Sequence, residues 1–148
     1  MHPPASTPPQ PPLRACIVDE HDIVRDWLTG RLESLGFEVC ATSATIAEGV
    51  AAILDLLPDL AVVDNRLPDG RGIDLCREVS AAAPQVALIL HTGMVSATEE
   101  SMAHEAGVTR VALKSIRGDD LMAAIREFLD GRPPAGDSLP RSPETRCV

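Results

Sequence analysis

Short apolar runs alternate five times with segments of helical periodicity along this chain of 148 residues. Each run is long enough for a buried strand and too short for a helix, and apolar residues then recur every three or four positions in the segment that follows. The runs lie at 13–18, 37–41, 60–63, 86–90 and 110–113. Strict alternation of strand and helix predicts a parallel sheet covered by helices on both faces. The sequence therefore predicts a doubly wound α/β fold with five parallel strands.

Residues that commonly begin and end helices flank the predicted helical segments. The flanking pairs are Asp22 and Gly36, Thr45 (or Ser43) and Pro58, Gly72 and Pro84, Ser96 and Gly107, and Asp119 (or Asp120) and Gly131. A polar side chain at the start accepts hydrogen bonds from free N–H groups of the first turn, whereas Gly or Pro ends a helix. These signals predict five helices between the strands and after the last of them.

Composition separates one folded domain from two polar ends. The apolar pattern occupies 13–131, whereas 1–12 is rich in Pro and 132–148 is rich in Pro, Gly, Ser and charge. We expect a disordered arm, a single domain and a flexible tail. The net charge of −9 argues against direct nucleic-acid binding by this chain, which needs a basic surface. No apolar run approaches the ~20 residues of a membrane span and no signal peptide is recognisable, so we expect a cytoplasmic protein.

The four cysteines do not predict a metal site. Cys16, Cys40, Cys76 and Cys147 form no C-x-x-C pair and show no Cys/His ligand spacing. Cys16 and Cys40 stand within apolar, strand-like runs, which predicts buried free thiols in a reducing compartment.

Polar side chains follow four of the predicted strands at the point where each strand ends. They are Asp19 with Glu20, then Asp64, Thr92 and Lys114. Each alone is commonly a turn, capping or surface residue. Because parallel strands place their carboxyl ends at one edge of the sheet, we expect the five side chains to converge there.

Such a set of side chains is suited to phosphoryl chemistry. Three carboxylates in one crevice repel each other and favour a hard divalent cation such as Mg²⁺. With the metal in place, Asp64 can attack phosphorus as a nucleophile and become an acyl phosphate. Lys114 can pair with the carboxylate and then with the phosphoryl oxygens, to which the Thr92 hydroxyl can donate a hydrogen bond.

These residues resemble the receiver domain of two-component response regulators, in the style of the subfamily usually fused to a helix-turn-helix output domain. The motifs that carry the resemblance are Val-Asp-Glu-His-Asp at 18–22, Asp-Asn-Arg-Leu-Pro-Asp-Gly-Arg-Gly at 64–72, Thr92, and Leu-Lys-Ser at 113–115. They occur in the family's order across 13–131. The resemblance implies a flavodoxin-like (βα)5 fold with strand order 2-1-3-4-5.

The resemblance also implies a role for each matching residue. Asp64 would accept a phosphoryl group from a sensor histidine kinase. Asp19, Glu20, Asp64 and the backbone carbonyl of Arg66 would hold Mg²⁺, while Thr92 and Lys114 would sense and stabilise the phosphoryl group. The domain would then be a signalling switch with at most weak self-dephosphorylation, not a metabolic enzyme.

The expected output is signalling through protein contacts, including the regulation of transcription. By the same resemblance, residues 96–130 would supply the surface for a homodimer or for partner docking. Whether the chain acts alone or belongs to a longer DNA-binding regulator stays open at this point.

Two departures from the family pattern keep other readings open. Val111 stands where the family typically carries Tyr or Phe, and Glu20 stands where Asp is usual. Val111 cannot reproduce the large rotamer change of an aromatic switch residue, so a degenerate receiver that acts as a phosphorylation-independent binding module is the alternative. A phosphohydrolase of the haloacid-dehalogenase type is disfavoured, because it needs an acid two residues after the nucleophile and Arg66 stands there.

Overall fold

Five parallel strands form the central sheet in a computed structural model, which describes residues 11–131. We number them β1 (Leu13–Val18), β2 (Phe37–Ser43), β3 (Leu60–Asp64), β4 (Ala87–Thr92) and β5 (Arg110–Leu113). Their order in the sheet is β2-β1-β3-β4-β5, which confirms the predicted doubly wound topology. A short antiparallel hairpin, Arg66–Leu67 with Gly70–Arg71, follows β3. Of the predicted arm and tail, 1–10 and 132–148 lie outside the described residues.

Within residues 11–131, five helices cover the two faces of the sheet. They are α1 (Asp22–Ser34), α2 (Ile46–Leu56), α3 (Gly72–Ala82), α4 (Ala97–Glu105) and α5 (Asp119–Asp130). Leu28 of α1 and Ile125 of α5 share one buried cluster, whereas Ile53 of α2 and Val79 of α3 belong to the other. No helix among the described residues is long and apolar enough to cross a membrane.

The side chains of strand β3 alternate between the two buried clusters, one on each face of the sheet. Leu60 and Val62 face the cluster under α1 and α5, while Ala61 and Val63 face the cluster under α2, α3 and α4. All four side chains are buried, as expected for a central parallel strand with both faces covered. This packing fixes the position of the residue that ends the strand, Asp64.

The predicted cap is correct for α2 and wrong for α1, and Ser96, which was predicted only as the start of α4, is the N-cap of that helix. Thr45 and Ser96 each accept a hydrogen bond from a backbone N–H of the first turn. His21, and not Asp22, is the N-cap of α1, and its side chain makes no capping bond. The chain enters the helix one residue early because the His21 backbone N–H donates to Asp19 Oδ1 at 2.9 Å. Asp22 is instead the first residue of the helix, where its negative charge interacts favourably with the positive end of the helix dipole.

Asp69 lies in the turn after β3, and its side chain caps the start of α2. Its Oδ1 accepts from the backbone N–H of Ile46 at 2.8 Å, and its Oδ2 accepts from that of Ala47 at 3.1 Å. The bond from Ile46 is the main reason why the pKa of Asp69 is lowered. A carboxylate at this position satisfies two N–H groups that a helix leaves free and also opposes the positive end of its dipole.

Replacing Asp69 with Ala is expected to lower the urea midpoint of unfolding at pH 7. Because the folded-state pKa of Asp69 is depressed, its contribution is complete above the unfolded-state pKa of about 3.9 and is lost as the pH falls through the folded-state value. The difference from wild type should therefore shrink below about pH 4. Urea titrations from pH 7 to pH 3 measure it. Asp74→Ala is the control, because within residues 11–131 this exposed carboxylate pairs only with Arg77. Equal midpoints for the two variants at pH 7 would contradict the cap.

Candidate functional site

Three of the predicted side chains meet at the carboxyl edge of the sheet. Strand β1 lies beside β3, and Val18 pairs with Val63, so Asp19 and Asp64 emerge next to each other. Lys114 follows β5 and reaches back over the edge. Its Nζ lies 3.3 Å from Asp64 Oδ1 and 3.7 Å from Asp19 Oδ2. The two aspartate side chains are only 4% exposed, so a single cation is shared by two nearly buried carboxylates.

Asp64 is held in an environment that disfavours its negative charge. Burial raises its pKa most, and the neighbouring charge of Asp19 raises it further. Lys114 and the backbone N–H of Arg66, which donates to Oδ1 at 3.3 Å, lower the pKa only in part. The other oxygen, Oδ2, is buried without a hydrogen-bond partner among the described residues. An unpaired buried carboxylate oxygen is costly, so this atom is ready to accept a cation or a reacting group.

The close group of possible ligand side chains among the described residues overlaps with the predicted metal ligands at Asp19 and Asp64. Ligand atoms of Asp19, His21 and Asp64 all lie within 4.8 Å of each other. His21 Nδ1 is 3.2 Å from Asp19 Oδ1, whereas its Nε2 lies 3.8 Å from Glu20 Oε2. Glu20 is more exposed and stands outside the close group, at the mouth of the crevice with Arg66. Sequence reasoning missed His21, although its place two residues after Asp19 in a tight turn was a usable signal.

The donors at this edge fit a hard divalent cation. Asp19 and Asp64 offer carboxylate oxygens, the ligand type that Mg²⁺ prefers, and Asp64 Oδ2 has no hydrogen-bond partner among the described residues. Mg²⁺ commonly takes one or two carboxylates and keeps several waters. The acidic cluster could therefore hold a metal ion.

Thr92 lies at the same edge, but its hydroxyl is directed elsewhere. Its Oγ1 donates to the backbone carbonyl of Met94 at 3.1 Å, in the loop before α4. Its own carbonyl accepts from the Lys114 backbone N–H at 2.7 Å, which ties β4 to the residue after β5. Val111 is half-buried on β5 beside Leu90 and packs against the core under α2, α3 and α4.

His91 is a buried polar residue that sequence reasoning missed. It stands opposite Asp64 in the sheet, and its Nε2 has no partner among the described residues. Burial, and then the charge of Lys114, lower its pKa to about 4, so the ring is neutral at pH 7. With Trp27 and Ile116 it lines a cavity of about 270 Å³ on the α1 side of Lys114. The only sequence signal was a polar residue at the end of an apolar run.

Replacing Lys114, the single lysine of the chain, with Met is expected to destabilise the metal-free protein. The change leaves Asp19 and Asp64 without their shared cation. Losing one partner of a fully buried pair costs 3–5 kcal/mol, and because Lys114 is 30% exposed we expect about 1–2 kcal/mol at pH 7. Urea unfolding measures the loss, and Mg²⁺ should restore more stability to this variant than to wild type.

Arg126→Met is the matched control for that experiment. Arg126 is an exposed cation on α5, and the described residues offer it no ion pair. Its removal should leave the urea midpoint nearly unchanged. If Lys114→Met and Arg126→Met behaved alike with and without Mg²⁺, Lys114 would not be neutralising the two carboxylates.

A doubly wound sheet that gathers two aspartates and a lysine at its carboxyl edge defines a class of signalling domain, the receiver. The response regulator receiver domain family matches residues 15–126, and the chain belongs to this family. The family predicted from the motifs is thereby confirmed, and with it a signalling function.

Curated relatives agree with the subfamily that the motifs resemble. The chain is 32% identical over 124 residues to the DNA-binding transcriptional activator DevR/DosR of Mycobacterium tuberculosis, an alignment that covers 81% of this chain and 56% of the relative. It is 27% identical over 120 residues to the response regulator protein VraR of Staphylococcus aureus, covering 80% and 57%. The chain thus spans little more than half the length of these relatives.

Solved structures of receivers superpose on most of the chain. A LuxR-family two-component response regulator from Aurantimonas sp. aligns with a TM-score of 0.75 and 28% identity, covering 82% of this chain and 88% of that one. A CheY-like receiver domain protein from Methanospirillum hungatei aligns with a TM-score of 0.74 and 32% identity, covering 81% and 95%. The (βα)5 fold is therefore that of known receivers.

Proposed function

We propose that this receiver takes a phosphoryl group onto Asp64 from a sensor histidine kinase in a Mg²⁺-dependent reaction. The observation that carries the proposal is the shared contact of Lys114 Nζ with Asp64 Oδ1 at 3.3 Å and Asp19 Oδ2 at 3.7 Å. A nucleophilic carboxylate, a second carboxylate and a fixed cation are the groups that aspartyl phosphorylation requires at one point.

Asp64 supplies the nucleophile of the transfer. One of its carboxylate oxygens attacks phosphorus while the bond from phosphorus to the donor nitrogen breaks, which gives an acyl phosphate on Asp64. Asp64 Oδ2 accepts no hydrogen bond from the described residues that would have to break first. Asp19, Glu20, Asp64 and the backbone carbonyl of Arg66 would hold Mg²⁺, which would supply neutralisation of negative charge and polarisation of the phosphoryl oxygens.

Lys114 and Thr92 would respond to the negative charge of the phosphoryl group on Asp64. When Asp64 carries the phosphoryl group, Lys114 Nζ can pair with a phosphoryl oxygen in place of the carboxylate. To donate to another phosphoryl oxygen, the Thr92 hydroxyl must break its hydrogen bond to the Met94 carbonyl. Met94 lies in the loop that precedes α4, so this movement involves that loop. Water attack on the acyl phosphate gives at most a weak self-dephosphorylation that limits the signal.

The output is proposed to run through protein contacts of residues 96–130, including a homodimer. The Thr92–Met94 contact supports this, because it links the phosphorylation edge to the start of α4. We propose a role in the regulation of transcription because the similar protein DevR/DosR is a DNA-binding transcriptional activator. The net charge of −9 argues against direct DNA binding by this chain, and a cytoplasmic location is part of the proposal. Crosslinks between phosphorylated copies should map to 96–130; contacts confined to α2 and α3 would contradict it.

A phosphorylation-independent binding module is the second candidate. Val111 supports it, because a half-buried Val cannot swing between an outward and an inward rotamer as a large aromatic side chain can. If Asp64 is phosphorylated, the signal must pass through backbone movement of β5 and the loop before α4.

Intact mass spectrometry separates these two candidates. The full chain is incubated with a small acyl phosphate donor, with Mg²⁺ or with a chelator. We expect one added phosphoryl group with Mg²⁺ and none with the chelator, and the adduct should be lost on treatment with hydroxylamine because it is an acyl phosphate. No adduct in a folded protein that binds Mg²⁺ would favour the binding module.

A further inference from the structure

Cys16 and Cys40 touch each other across strands β1 and β2. Their sulfur atoms lie 3.6 Å apart, and the Cys40 thiol also donates to the backbone carbonyl of Ala15 at 3.4 Å. Cys16 is buried as predicted, but the prediction for Cys40 is wrong, because this residue is only partly buried. Strand β2 is the edge of the sheet, so its side chains are covered less completely than those of β1.

A bulge in β2 brings the two sulfurs together. Ala15 pairs with Val39 and Cys16 pairs with Ala41, which leaves Cys40 as the extra residue of β2. Neighbouring strands lie about 4.8 Å apart, within the reach that disulfide geometry allows between the Cα atoms of two cysteines. The sulfurs must approach by about 1.5 Å to reach a bonding distance near 2.05 Å. The edge strand can supply this shift, because β1 is its only partner in the described sheet.

We propose that Cys16 and Cys40 are a site of reversible disulfide formation, with a small hydroperoxide as the oxidant. The Cys40 sulfur attacks one peroxide oxygen, the O–O bond breaks, and Cys40 becomes a sulfenic acid with release of water or an alcohol. The Cys16 sulfur then attacks the Cys40 sulfur, the S–O bond breaks, and the departing hydroxide takes the Cys16 proton to form a second water. Two thiols lose two electrons, and the peroxide gains them.

Exposure sets the order of the two steps. Cys40 is partly exposed and meets the peroxide first, whereas Cys16 is sealed in the core. Burial, and then the neighbouring Cys40, raise the pKa of Cys16 to about 12, so its thiolate is scarce and the closing step is slow. Cys76 is also buried, and burial alone raises its pKa to about 12. No other described thiol is in contact with it. Cys76 should therefore stay reduced and serve as an internal control.

Peptide mapping of the full chain tests the proposal directly. Hydrogen peroxide is added to the folded protein, free thiols are alkylated, and the sample is digested with trypsin without reduction. Cleavage after Arg places the four cysteines in separate peptides, at 15–25, 32–66, 72–77 and 147–148. We expect peptides 15–25 and 32–66 to be joined and to separate on treatment with dithiothreitol, while Cys76 is recovered alkylated.

Two variants and a stability measurement complete the test. Cys40→Ser and Cys16→Ala, each checked for folding by circular dichroism, should lose the joined peptides. Oxidised wild type should unfold at a higher urea concentration than reduced wild type, because the bond closes a loop that contains α1; Cys40→Ser treated alike should not. The proposal is overturned if Cys40 is converted to sulfinic acid without a joined peptide, or if it links only to Cys147.

Discussion

Asp64→Asn is expected to reduce phosphoryl uptake to background while making the metal-free protein more stable at pH 7. The amide oxygen of Asn is a poor nucleophile, so the acyl phosphate cannot form. The same change removes a nearly buried negative charge that faces Asp19 and has one oxygen without a partner. Lys114 keeps Asp19 as a partner at 3.7 Å, so the substitution does not strand the lysine.

The gain in stability should depend on pH in a defined direction. The folded-state pKa of Asp64 is raised above its unfolded value of about 3.9, so ionisation of Asp64 costs stability as the pH rises through the interval between the two. Above that interval wild type carries the whole cost, and the Asn variant carries none. The difference in urea midpoint should therefore be largest at pH 7 and should approach zero near pH 4.

Asp74→Asn is the matched control for both measurements. Asp74 is an exposed carboxylate of α3 whose recorded partner is Arg77 at 3.0 Å. It should be phosphorylated like wild type and show no gain in stability at neutral pH. A phosphoryl adduct on the Asp64→Asn protein would show that another residue is the acceptor. A loss of stability at pH 7 would show that Lys114 compensates the charge of Asp64 fully.

Gly72→Ala is expected to damage both the fold and the phosphorylation site. A methyl group at Gly72 would overlap the backbone carbonyl oxygen of Asp64 and lie 3.0 Å from the Cα of Asn65. Neither neighbour can rotate away, because both are backbone atoms and Gly72 N–H donates to the Asn65 carbonyl at 2.9 Å. Overpacking of this kind costs about 1–3 kcal/mol. The strand end that carries Asp64 must shift, so phosphoryl uptake should also fall, by tenfold or more in rate.

Gly30→Ala, a substitution at another glycine, is expected to raise stability and not to lower it. Gly30 lies within α1, and an added Cβ meets nothing within 4 Å. Alanine favours the helix over glycine by roughly 0.5–1 kcal/mol, so this variant should be more stable and should be phosphorylated at the wild-type rate. Urea unfolding and the rate of mass gain are compared for the two variants. A Gly72→Ala protein as stable and as reactive as Gly30→Ala would mean that α3 does not press against the Asp64 strand end.

Local sequence was sufficient to predict the strands and helices, but not every residue at their ends. The apolar runs mark all five strands, although β2 and β4 each end two residues later than predicted. The cap at Thr45 and the helix start at Ser96 depend on near neighbours and agree with the structure. The cap at Asp22 was wrong because a side chain three residues earlier, Asp19, draws the His21 N–H into its own hydrogen bond. Asp69 belongs to the motif at 64–72, and nothing near it in the sequence indicates that it caps a helix that begins 23 positions before it.

The sequence by itself determined the alternation of strands and helices, the negative charge of the chain, and the presence of Asp19, Asp64, Thr92 and Lys114 at strand ends. These follow from periodicity and from the rule that parallel strands end at one edge. Only the tertiary structure decided that Lys114 reaches both aspartates, that the Thr92 hydroxyl turns towards Met94, and that Cys40 contacts Cys16. Those contacts depend on strand register, one bulge and side-chain rotamers, which are set by residues distant in the chain.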